Sequence, residues 1–294
     1  MKISVIVTTY NQPRWLEYVL TGFGIQSYED FEVVVADDGS GTETREVVDV
    51  ARRKLGLPLL HVWHKDEGFR KTVILNRAIL AARGDYLLFT DGDCIPRGDF
   101  VEVHARYARR GRFLSGGYLK LPRAVSQAVT VQDIRSGAVF DPSWLRSRGW
   151  RTGRRRLRLS RSRMLSTFLD ALTPTSPTWN GHNASAWREA VTEANGFDMD
   201  MGYGGLDRAL GERLENLGVR GKQIRYRAPC VHLFHPQPYR DRAVVARNKE
   251  IRRKIRGEGE TRARLGLAEL EPDPSLSLRG WGVEPIDSTR KGET

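Results

Sequence analysis

The chain has 294 residues, of which 39% are hydrophobic, and this is enough apolar material for one large domain or two small ones with a proper core. Its 48 lysines and arginines exceed its 36 acidic residues, which gives a formal net charge of +12. This excess favours anionic partners, but it does not distinguish nucleotides from lipid headgroups or nucleic acid.

The sequence also argues against several protein classes. Its two cysteines, Cys94 and Cys230, form no CxxC pair and no disulfide framework. No apolar run approaches the roughly 20 residues of a membrane helix, and the apolar part of the N-terminus is too short for a signal peptide. We therefore expect a cytoplasmic protein.

Apolar, β-branched segments alternate with helical patterns in the first hundred residues. The predicted buried strands are Ile3–Thr9, Phe31–Asp37, Leu59–Trp63 and Tyr86–Asp91, and the predicted helices between them are 13–22, Thr42–Leu55 and 72–83. Near-continuous hydrophobic strands that alternate with helices predict an α/β fold, with a mostly parallel central sheet covered on both faces. Ligands bind such sheets at the carboxyl ends of the strands, and three of these four strands end in polar residues.

The second half of the chain is less regular. Residues 146–163 are dense in arginine and predict a mobile or surface insertion. A strand-like pattern follows over 179–187, then a helix over 207–216 and a strand over 222–228. Beyond about residue 255 the chain is charged and punctuated by glycine and proline, so we expect poor order at its end.

The fourth strand ends in Asp91-Gly92-Asp93. Two carboxylates this close repel one another unless a cation lies between them. A hard divalent cation prefers oxygen ligands, and it can also bridge the oxygens of a diphosphate substrate. The alternative is an ordinary Asp-Gly turn that faces water.

Two further polar groups follow strands of the predicted sheet. One of Asp37 and Asp38 could cap the next helix, and this is the plain structural role for Asp38. The other would then accept a hydrogen bond from a base N–H or a ribose hydroxyl. Arg70 and Lys71 stand at a predicted helix N-terminus, where cations are unfavourable unless an anion neutralises them or solvent surrounds them.

Three candidates stand in the later part of the chain. Asp207 follows two glycines at the start of a predicted helix, so it is either a plain N-cap or a general base beside a cleft. His232 and His235 flank an apolar pair of residues. A lone histidine there would more often be a core residue, but two of them downstream of an acidic pair make one a candidate third metal ligand.

In this order, the motifs resemble the inverting, nucleotide-sugar-dependent glycosyltransferases of family two, which have the GT-A fold. More closely, the chain is similar to single catalytic modules of bacterial chondroitin and hyaluronan synthases with a galactosyltransferase-type C-terminal half. The matching stretches are SVIVTTYNQ, VVVADDGS, KDEGF, LNRAILAARGDYLLFTDGDCIP, NGHNASAW, NGFD, GYGGLDRALGERL and VHLFHP.

The resemblance implies a role for each matching position. The donor-binding residues would be Thr8, Tyr10, Asp37, Asp38, Asn76, Asp91, Gly92 and Asp93. The ligands of Mn²⁺ or Mg²⁺ would be Asp93 most directly, with His232, Asp91 and His235. Asp207 would be the catalytic base, and the acceptor would lie along Gly181, Asn183, Gly204 and Gly205. The family usually has Glu-Asp where this chain has Leu206-Asp207, so the carboxylate expected to help orient the acceptor is missing.

The same resemblance implies an organisation and an activity. Residues 1–110 would form the nucleotide-sugar-binding half. Residues 111–238, with the insertion 146–163, would form the acceptor half of the same domain, and 239–294 a C-terminal helix and tail. The enzyme would move a hexose or N-acetylhexosamine, with inversion, from a UDP-sugar or similar donor to a glycan or lipid-linked glycan acceptor in polysaccharide or glycoconjugate biosynthesis. The alternative is a catalytically impaired protein of the same fold that binds sugar nucleotides or glycans.

The arginine-rich segment and the net charge leave two other interpretations to weigh. Nucleic-acid binding is disfavoured because acidic strand ends would repel phosphates. Residues 146–163 either contact anionic lipid at the inner face of the membrane or form a solvated loop, and the segment itself lacks a clear amphipathic pattern.

Overall fold

The four strands predicted in the first hundred residues are confirmed. In the computed structural model, which describes residues 1–235 and 241–280, the first four strands are β1 (Ile3–Thr9), β2 (Phe31–Asp37), β3 (Leu59–Trp63) and β4 (Tyr86–Asp91). The helices between them are α1 (Pro13–Phe23), α2 (Thr42–Leu55) and α3 (Lys71–Ala81). These bounds fall within two residues of the sequence prediction.

Shorter elements complete the fold. The remaining strands are β5 (Cys94–Pro96), β6 (Arg112–Ser115), β7 (Gly117–Lys120), β8 (Ala184–Trp187), β9 (Arg220–Gln223), β10 (Pro229–His232) and β11 (Ser277–Gly280). The remaining helices are α4 (Phe100–Tyr107), α5 (Arg123–Ala128), α6 (Val131–Arg135), α7 (Pro142–Ser147), α8 (Arg163–Leu172), α9 (Arg188–Glu193), α10 (Leu206–Asn216) and α11 (Arg242–Glu258), with 3-10 turns at Ala138–Phe140 and Gly153–Leu159. In the described ranges, no helix combines the length and the apolar content that crossing a membrane requires.

The strands form one large sheet and one small one. The large sheet has the order β11-β3-β2-β1-β4-β8-β6-β9. Strands β3, β2, β1 and β4 run parallel, whereas β8 is antiparallel to both of its neighbours and β11 is antiparallel to β3. The small sheet, β5-β10-β7, brings the second half of the chain next to the end of β4.

Both faces of the central strands are buried, because successive side chains of a strand point to opposite faces. Val5 and Val7 of β1 pack in the apolar layer that includes α1 and α2. Ile6, between them, packs in the opposite layer, which includes α3 and α10. The near-continuous hydrophobic runs in the sequence follow from this double burial.

Two strand predictions in the second half were too long. Within 179–187 only Ala184–Trp187 is a strand. The strand predicted over 222–228 ends at Gln223, because the chain then turns with the backbone N–H of Arg227 and Ala228 donating to the carbonyl of Ile224. The chain resumes as β10 in the other sheet.

The arginine-rich segment lies on the surface but has regular structure. It contains the end of α7, the turn Gly153–Leu159 and the start of α8. Leu145 and Leu159 are buried in the main core and anchor the segment, while Arg154 and Arg155 are exposed.

The charged stretch beyond residue 255 has defined structure as far as Gly280, and the poor order expected at the end of the chain concerns residues that the structure does not describe. Its strand β11 pairs with the edge strand β3. Asp273 pairs with Arg77, on α3. The tail therefore packs on the first half of the chain, and residues 281–294 lie outside the described residues.

Candidate functional site

A cavity of about 550 Å³ opens where β1, β2 and β4 end, beside the start of α10. The predicted residues that line it are Thr8, Tyr10, Asp38, Asp91, Gly92, Asp93, Gly204, Gly205, Asp207, His232 and His235. This is the position at which parallel sheets bind ligands, since the strand ends and the helix N-termini converge there.

Asp91 forms the floor of the cavity together with Lys71. The Lys71 ammonium donates to Asp91 Oδ1 at 2.7 Å, and the Thr8 hydroxyl donates to the same oxygen at 2.8 Å. Burial opposes ionisation of Asp91, but the Lys71 charge and these hydrogen bonds outweigh it and lower the pKa of the carboxyl below its ordinary value. Burial likewise opposes the charge of Lys71, and the carboxylates of Asp91, Asp207 and Asp93 together raise its pKa.

Gly92 lets this turn approach β1 closely. Its backbone N–H donates to the carbonyl of Thr8 at 2.7 Å, and a Cβ at this position would lie 2.8 Å from that oxygen. A side chain would therefore displace either Asp91 or Asp93 from the cavity.

Asp93 faces two imidazoles. Its Oδ2 lies 2.9 Å from His235 Nε2, and its Oδ1 lies 3.8 Å from His232 Nε2. Ligand atoms of Asp93, Cys94 and His232 all lie within 4.8 Å of one another, and His232 Nδ1 is buried without a hydrogen-bond partner in the described chain. A carboxylate beside imidazole nitrogens is a donor set that can hold a divalent transition-metal ion such as Mn²⁺.

Asp207 is the second residue of α10, directly after Leu206, and it contributes a carboxylate to the opposite wall. Its Oδ1 is buried and has no hydrogen-bond partner among the described residues. Burial raises the pKa of Asp207 to about 6, the Lys71 charge opposes that rise, and the Asp91 charge adds to it. A buried carboxylate with a free oxygen and a pKa near neutrality is suited to accepting a proton. Leu206 is buried, packs in the layer that includes α3, and supplies no second carboxylate.

Asp38 is held by a chain of contacts that begins in the tail. Arg77 pairs with Asp273 and donates to His64 Nδ1 at 2.9 Å. Because an arginine can only donate, His64 carries its proton on Nε2 and donates it to Asp38 Oδ1 at 2.8 Å. The backbone N–H of Arg70 donates to Asp38 Oδ2 at 3.0 Å, which fixes the carboxylate at the start of α3.

Asp37 does not line the cavity, although the sequence predicted a donor-binding role for it. Its Oδ1 accepts from the backbone N–H of Ser40 at 2.8 Å, and its Oδ2 accepts from His61 Nε2 at 2.9 Å. The side chain is fully buried. The sequence offered the structural role to Asp38, but in the structure Asp37 has that role and holds the loop after β2. Asp38 faces the cavity instead.

Two predicted asparagines are buried in the framework instead. Asn76 Nδ2 donates to the carbonyl of Phe197, and its Oδ1 accepts from the Phe197 N–H, both at 2.8 Å. Asn183 Nδ2 donates to the carbonyls of Gly117 and Ala228, at 2.8 and 2.7 Å. Both side chains are fully buried, so each joins two segments of backbone and neither faces the cavity.

The glycines near α10 are required for two different reasons, backbone conformation and lack of space for a side chain. Gly204 and Gly205 line the cavity with φ of 102° and 95°, a region that side chains rarely adopt. Asn248 of α11 holds this loop by donating to the carbonyls of Gly202 and Gly204. Gly181 lies behind Asp207, where a Cβ would be 2.5 Å from Asp207 Oδ1.

Replacing Gly181 with alanine is expected to lower transfer activity at least about tenfold, because the new methyl group would lie only 2.5 Å from Asp207 Oδ1 and displaces the carboxylate. The measurement is kcat in a sugar-transfer assay, with thermal unfolding to confirm the fold. Gly257→Ala on α11 is the matched control, because a Cβ there meets no atom within 4 Å. Unchanged kcat in Gly181→Ala would contradict a catalytic position for Asp207.

The cavity lining includes residues that the sequence did not predict, and three of them have side chains that can contact a ligand through charge, hydrogen bonds or a ring. For Lys71 the sequence indicated a cation at a helix N-terminus but gave no sign of its contact with Asp91. His182 lines the cavity, and burial lowers its pKa to about 4, so it is neutral near pH 7. Tyr203 packs edge-on against Phe69, with ring centroids 6.0 Å apart, and both rings line the cavity. His182 lies inside the quoted NGHNASAW stretch, which was its only signal.

Comparisons with known proteins agree with this architecture. Residues 4–166 match glycosyl transferase family 2. The chain is 30% identical over 233 residues to validoxylamine A glucosyltransferase of Streptomyces hygroscopicus subsp. jinggangensis, covering 74% of this chain and 52% of that protein. It is 37% identical over 95 residues to poly(ribitol-phosphate) beta-N-acetylglucosaminyltransferase TarS of Staphylococcus aureus, covering 32% of this chain and 16% of TarS. The matched part of the chain thus spans about half of the first relative and a much smaller share of the second.

Solved structures show the same fold. The structure of S. aureus TarS 1–349 in complex with UDP-GlcNAc superposes with a TM-score of 0.57 and 18% identity, covering 92% of this chain and 69% of that one. The mannosyltransferase PcManGT of Pyrobaculum calidifontis, in complex with GDP-Man and Mn²⁺, gives a TM-score of 0.54 and 22% identity, covering 81% and 58%. The fold is GT-A, as the sequence predicted. With more than half of its length matched, the chain belongs to glycosyl transferase family 2.

Proposed function

We propose that this glycosyltransferase uses a divalent metal ion and inverts the anomeric carbon as it transfers a hexose or N-acetylhexosamine from a nucleotide diphosphate, with UDP-sugars the first donors to test. The acceptor is a hydroxyl of a glycan or glycolipid. The observation that carries the proposal is the pair of opposed acidic groups in one cavity: Asp207, with a free buried oxygen, and Asp93, with two imidazoles.

Similar proteins support the donor class. TarS is described with UDP-GlcNAc and PcManGT with GDP-Man and Mn²⁺, and both share the fold but less than a quarter of the sequence. We expect the base and ribose near Thr8, Tyr10 and Asp38, because these residues line the end of the cavity formed by β1 and β2. The finer resemblance to chondroitin and hyaluronan synthase modules stays a prediction.

The carboxylate of Asp93 suits Mn²⁺ or Mg²⁺, and of these two the imidazole nitrogens beside it favour Mn²⁺. Asp93 would be the main ligand and the two imidazoles of His232 and His235 would complete the protein's share, while Asp91 is held by Lys71 and Thr8 and is the weaker candidate. A bound divalent ion would neutralise the charge that builds on the leaving diphosphate. Lys71, a compact cation at the start of α3, lies where it can contact the same phosphates.

The residues of the chain account for the proton in the reaction. The acceptor hydroxyl gives its proton to Asp207 as its oxygen forms a bond to the anomeric carbon. The bond from that carbon to the diphosphate oxygen breaks, and its electron pair leaves with the diphosphate. Because attack and departure are on opposite faces, the configuration inverts without a covalent intermediate on the enzyme.

The dependence of kcat/KM on pH is expected to follow ionisation of Asp207. Only the carboxylate form accepts a proton, and burial raises the pKa of Asp207 from 3.8 to about 6. Activity should therefore rise between pH 5 and 7 with a midpoint near 6, rather than near 4 as for an exposed aspartate. The measurement is the pH profile of transfer at low donor concentration, and a flat profile from pH 5 to 7 would contradict the assignment.

A binding-only member of the family is the alternative, and one observation favours it. Leu206 replaces the glutamate that usually precedes the base, so an acceptor contact is missing. The alternative predicts donor binding without hydrolysis or transfer in the presence of Mn²⁺.

The decisive experiment is a panel of nucleotide sugars. Each donor is added with Mn²⁺ or with chelator, the thermal unfolding midpoint is measured, and the stabilising donors are then tested for hydrolysis and transfer. We expect one donor to raise the midpoint only with metal present. If no nucleotide sugar stabilises the protein and none is turned over, the proposal is wrong.

A further inference from the structure

Helix α8 presents its apolar side chains to solvent. Met164 is 86% exposed, Phe168 60% and Leu172 62%, and these residues, spaced by four, form one stripe along the helix with Leu165 beside them. This arrangement is the reverse of an ordinary surface helix, whose apolar stripe faces the core.

The orientation of α8 is fixed by polar contacts on its inner side. Ser166 and Asp170 are the buried residues of the helix. Asp170 accepts from the backbone N–H of Tyr226 at 3.0 Å and pairs with Arg227 at 3.2 Å. A helix held by its polar face keeps its apolar face outward.

The segment that leads into α8 is strongly basic. Residues 146–163 contain nine arginines and no acidic residue, and all but Arg158 are exposed. Arginine beside an exposed apolar stripe is the composition that binds the interface of an anionic bilayer, because the guanidinium groups meet the headgroups while the apolar side chains enter the acyl boundary.

This surface adjoins the cavity. Arg158 Nη1 donates to the carbonyl of Tyr118 at 2.7 Å. The ring of Tyr118 packs against His182 and His232, with centroids 4.5 and 5.7 Å apart, and both histidines line the cavity. A bilayer against the basic segment would therefore lie beside the part of the cavity that His182 and His232 line.

We propose that residues 146–163 and the apolar face of α8 form a docking surface for an anionic lipid bilayer, from which a lipid-linked acceptor reaches the cavity; the acceptor part rests on the proposed function. A nucleic acid would explain the arginines but not the exposed apolar stripe. A second copy of the chain would place two arginine-rich segments against each other in a symmetric dimer, where they would repel.

The test is co-sedimentation of the full chain with vesicles of phosphatidylcholine, with and without phosphatidylglycerol. We expect binding to the anionic vesicles only. Two variants should each weaken binding at least about tenfold. The first combines Met164→Ser with Phe168→Ser, and the second combines Arg154→Gln, Arg155→Gln and Arg156→Gln. The controls are Leu80→Ser, an equally exposed leucine on α3, and Arg45→Gln with Arg53→Gln and Lys54→Gln, which remove three exposed charges from α2.

Several outcomes would overturn the proposal. With vesicles, these are no binding to either kind, binding by the serine and glutamine variants equal to that of the wild type, or equal losses in the controls. With other partners, they are binding to an RNA oligonucleotide that the Met164 and Phe168 changes do not affect, or a dimer in light scattering that these changes dissociate. Donor hydrolysis in the same samples tests the proposed function separately. It should be the same in all these variants, so a loss of vesicle binding alone concerns only the docking surface.

Discussion

Replacing Asp207 with asparagine is expected to lower kcat for sugar transfer by about 100- to 10,000-fold, the range that a general base typically contributes. The amide has the size of the carboxylate, so the cavity keeps its shape, but it cannot accept the proton of the acceptor hydroxyl. Donor binding should persist, because the groups expected to hold the nucleotide and the metal lie at or just after the ends of β1, β2, β4 and β10, and not on α10.

This experiment has an internal check on folding. Asp207 Oδ1 has no hydrogen-bond partner among the described residues, so the substitution breaks no recorded contact of that atom. Its thermal unfolding midpoint should therefore not fall. Glu43→Gln is the matched control, since it makes the same chemical change in the first turn of α2, at an exposed position outside the cavity lining. Full activity in Asp207→Asn would remove the assignment of the base.

The strands that form the floor of the site could be predicted because their burial on both faces requires an apolar composition. A strand covered on both faces needs apolar side chains at nearly every position. Ile3–Thr9 and Phe31–Asp37 have this pattern, apart from the polar residues at their ends and the buried pair Ser4 and Glu32, which hydrogen-bond to each other. The strand β11 has no such pattern. Its Leu278 is 55% exposed at the sheet edge, so nothing in its composition distinguishes it from a loop.

The orientation of each polar side chain was harder to predict. Alternation along β2 indicates that Asp37 and Asp38 point in different directions, but the sequence alone does not show which side is the cavity. His61 on β3 decides the matter, because it pairs with Asp37 across the sheet. Asn76 is a similar case, since its partner Phe197 is 121 residues away in the sequence. Contacts of this kind depend on the tertiary structure and leave no local signal.

Removing the metal, or the carboxylate that would hold it, is expected to have an effect of similar size. Neutralising charge on a departing diphosphate is worth several kcal/mol, so transfer should fall about 1,000-fold in chelator and in Asp93→Ala. Mn²⁺ should restore the wild type but not the variant. The measurements are transfer rates and the affinity for Mn²⁺ by calorimetry, which Asp93→Ala should weaken even in the absence of donor.

Cys94 supplies the control that makes this test specific to the proposed ligands. Its sulfur lies within 4.8 Å of the Asp93 and His232 ligand atoms, but burial and its contact with Cys230 raise the pKa of the thiol well above the ordinary value. A protonated thiol is a poor ligand for a hard cation, so Cys94→Ala should keep both Mn²⁺ affinity and activity. If Cys94→Ala loses Mn²⁺ as completely as Asp93→Ala, the ligand set is different from the one proposed. If chelator leaves transfer unchanged, the reaction does not depend on a metal, and Lys71, which lines the cavity, becomes the candidate among the described residues to balance the charge of the diphosphate.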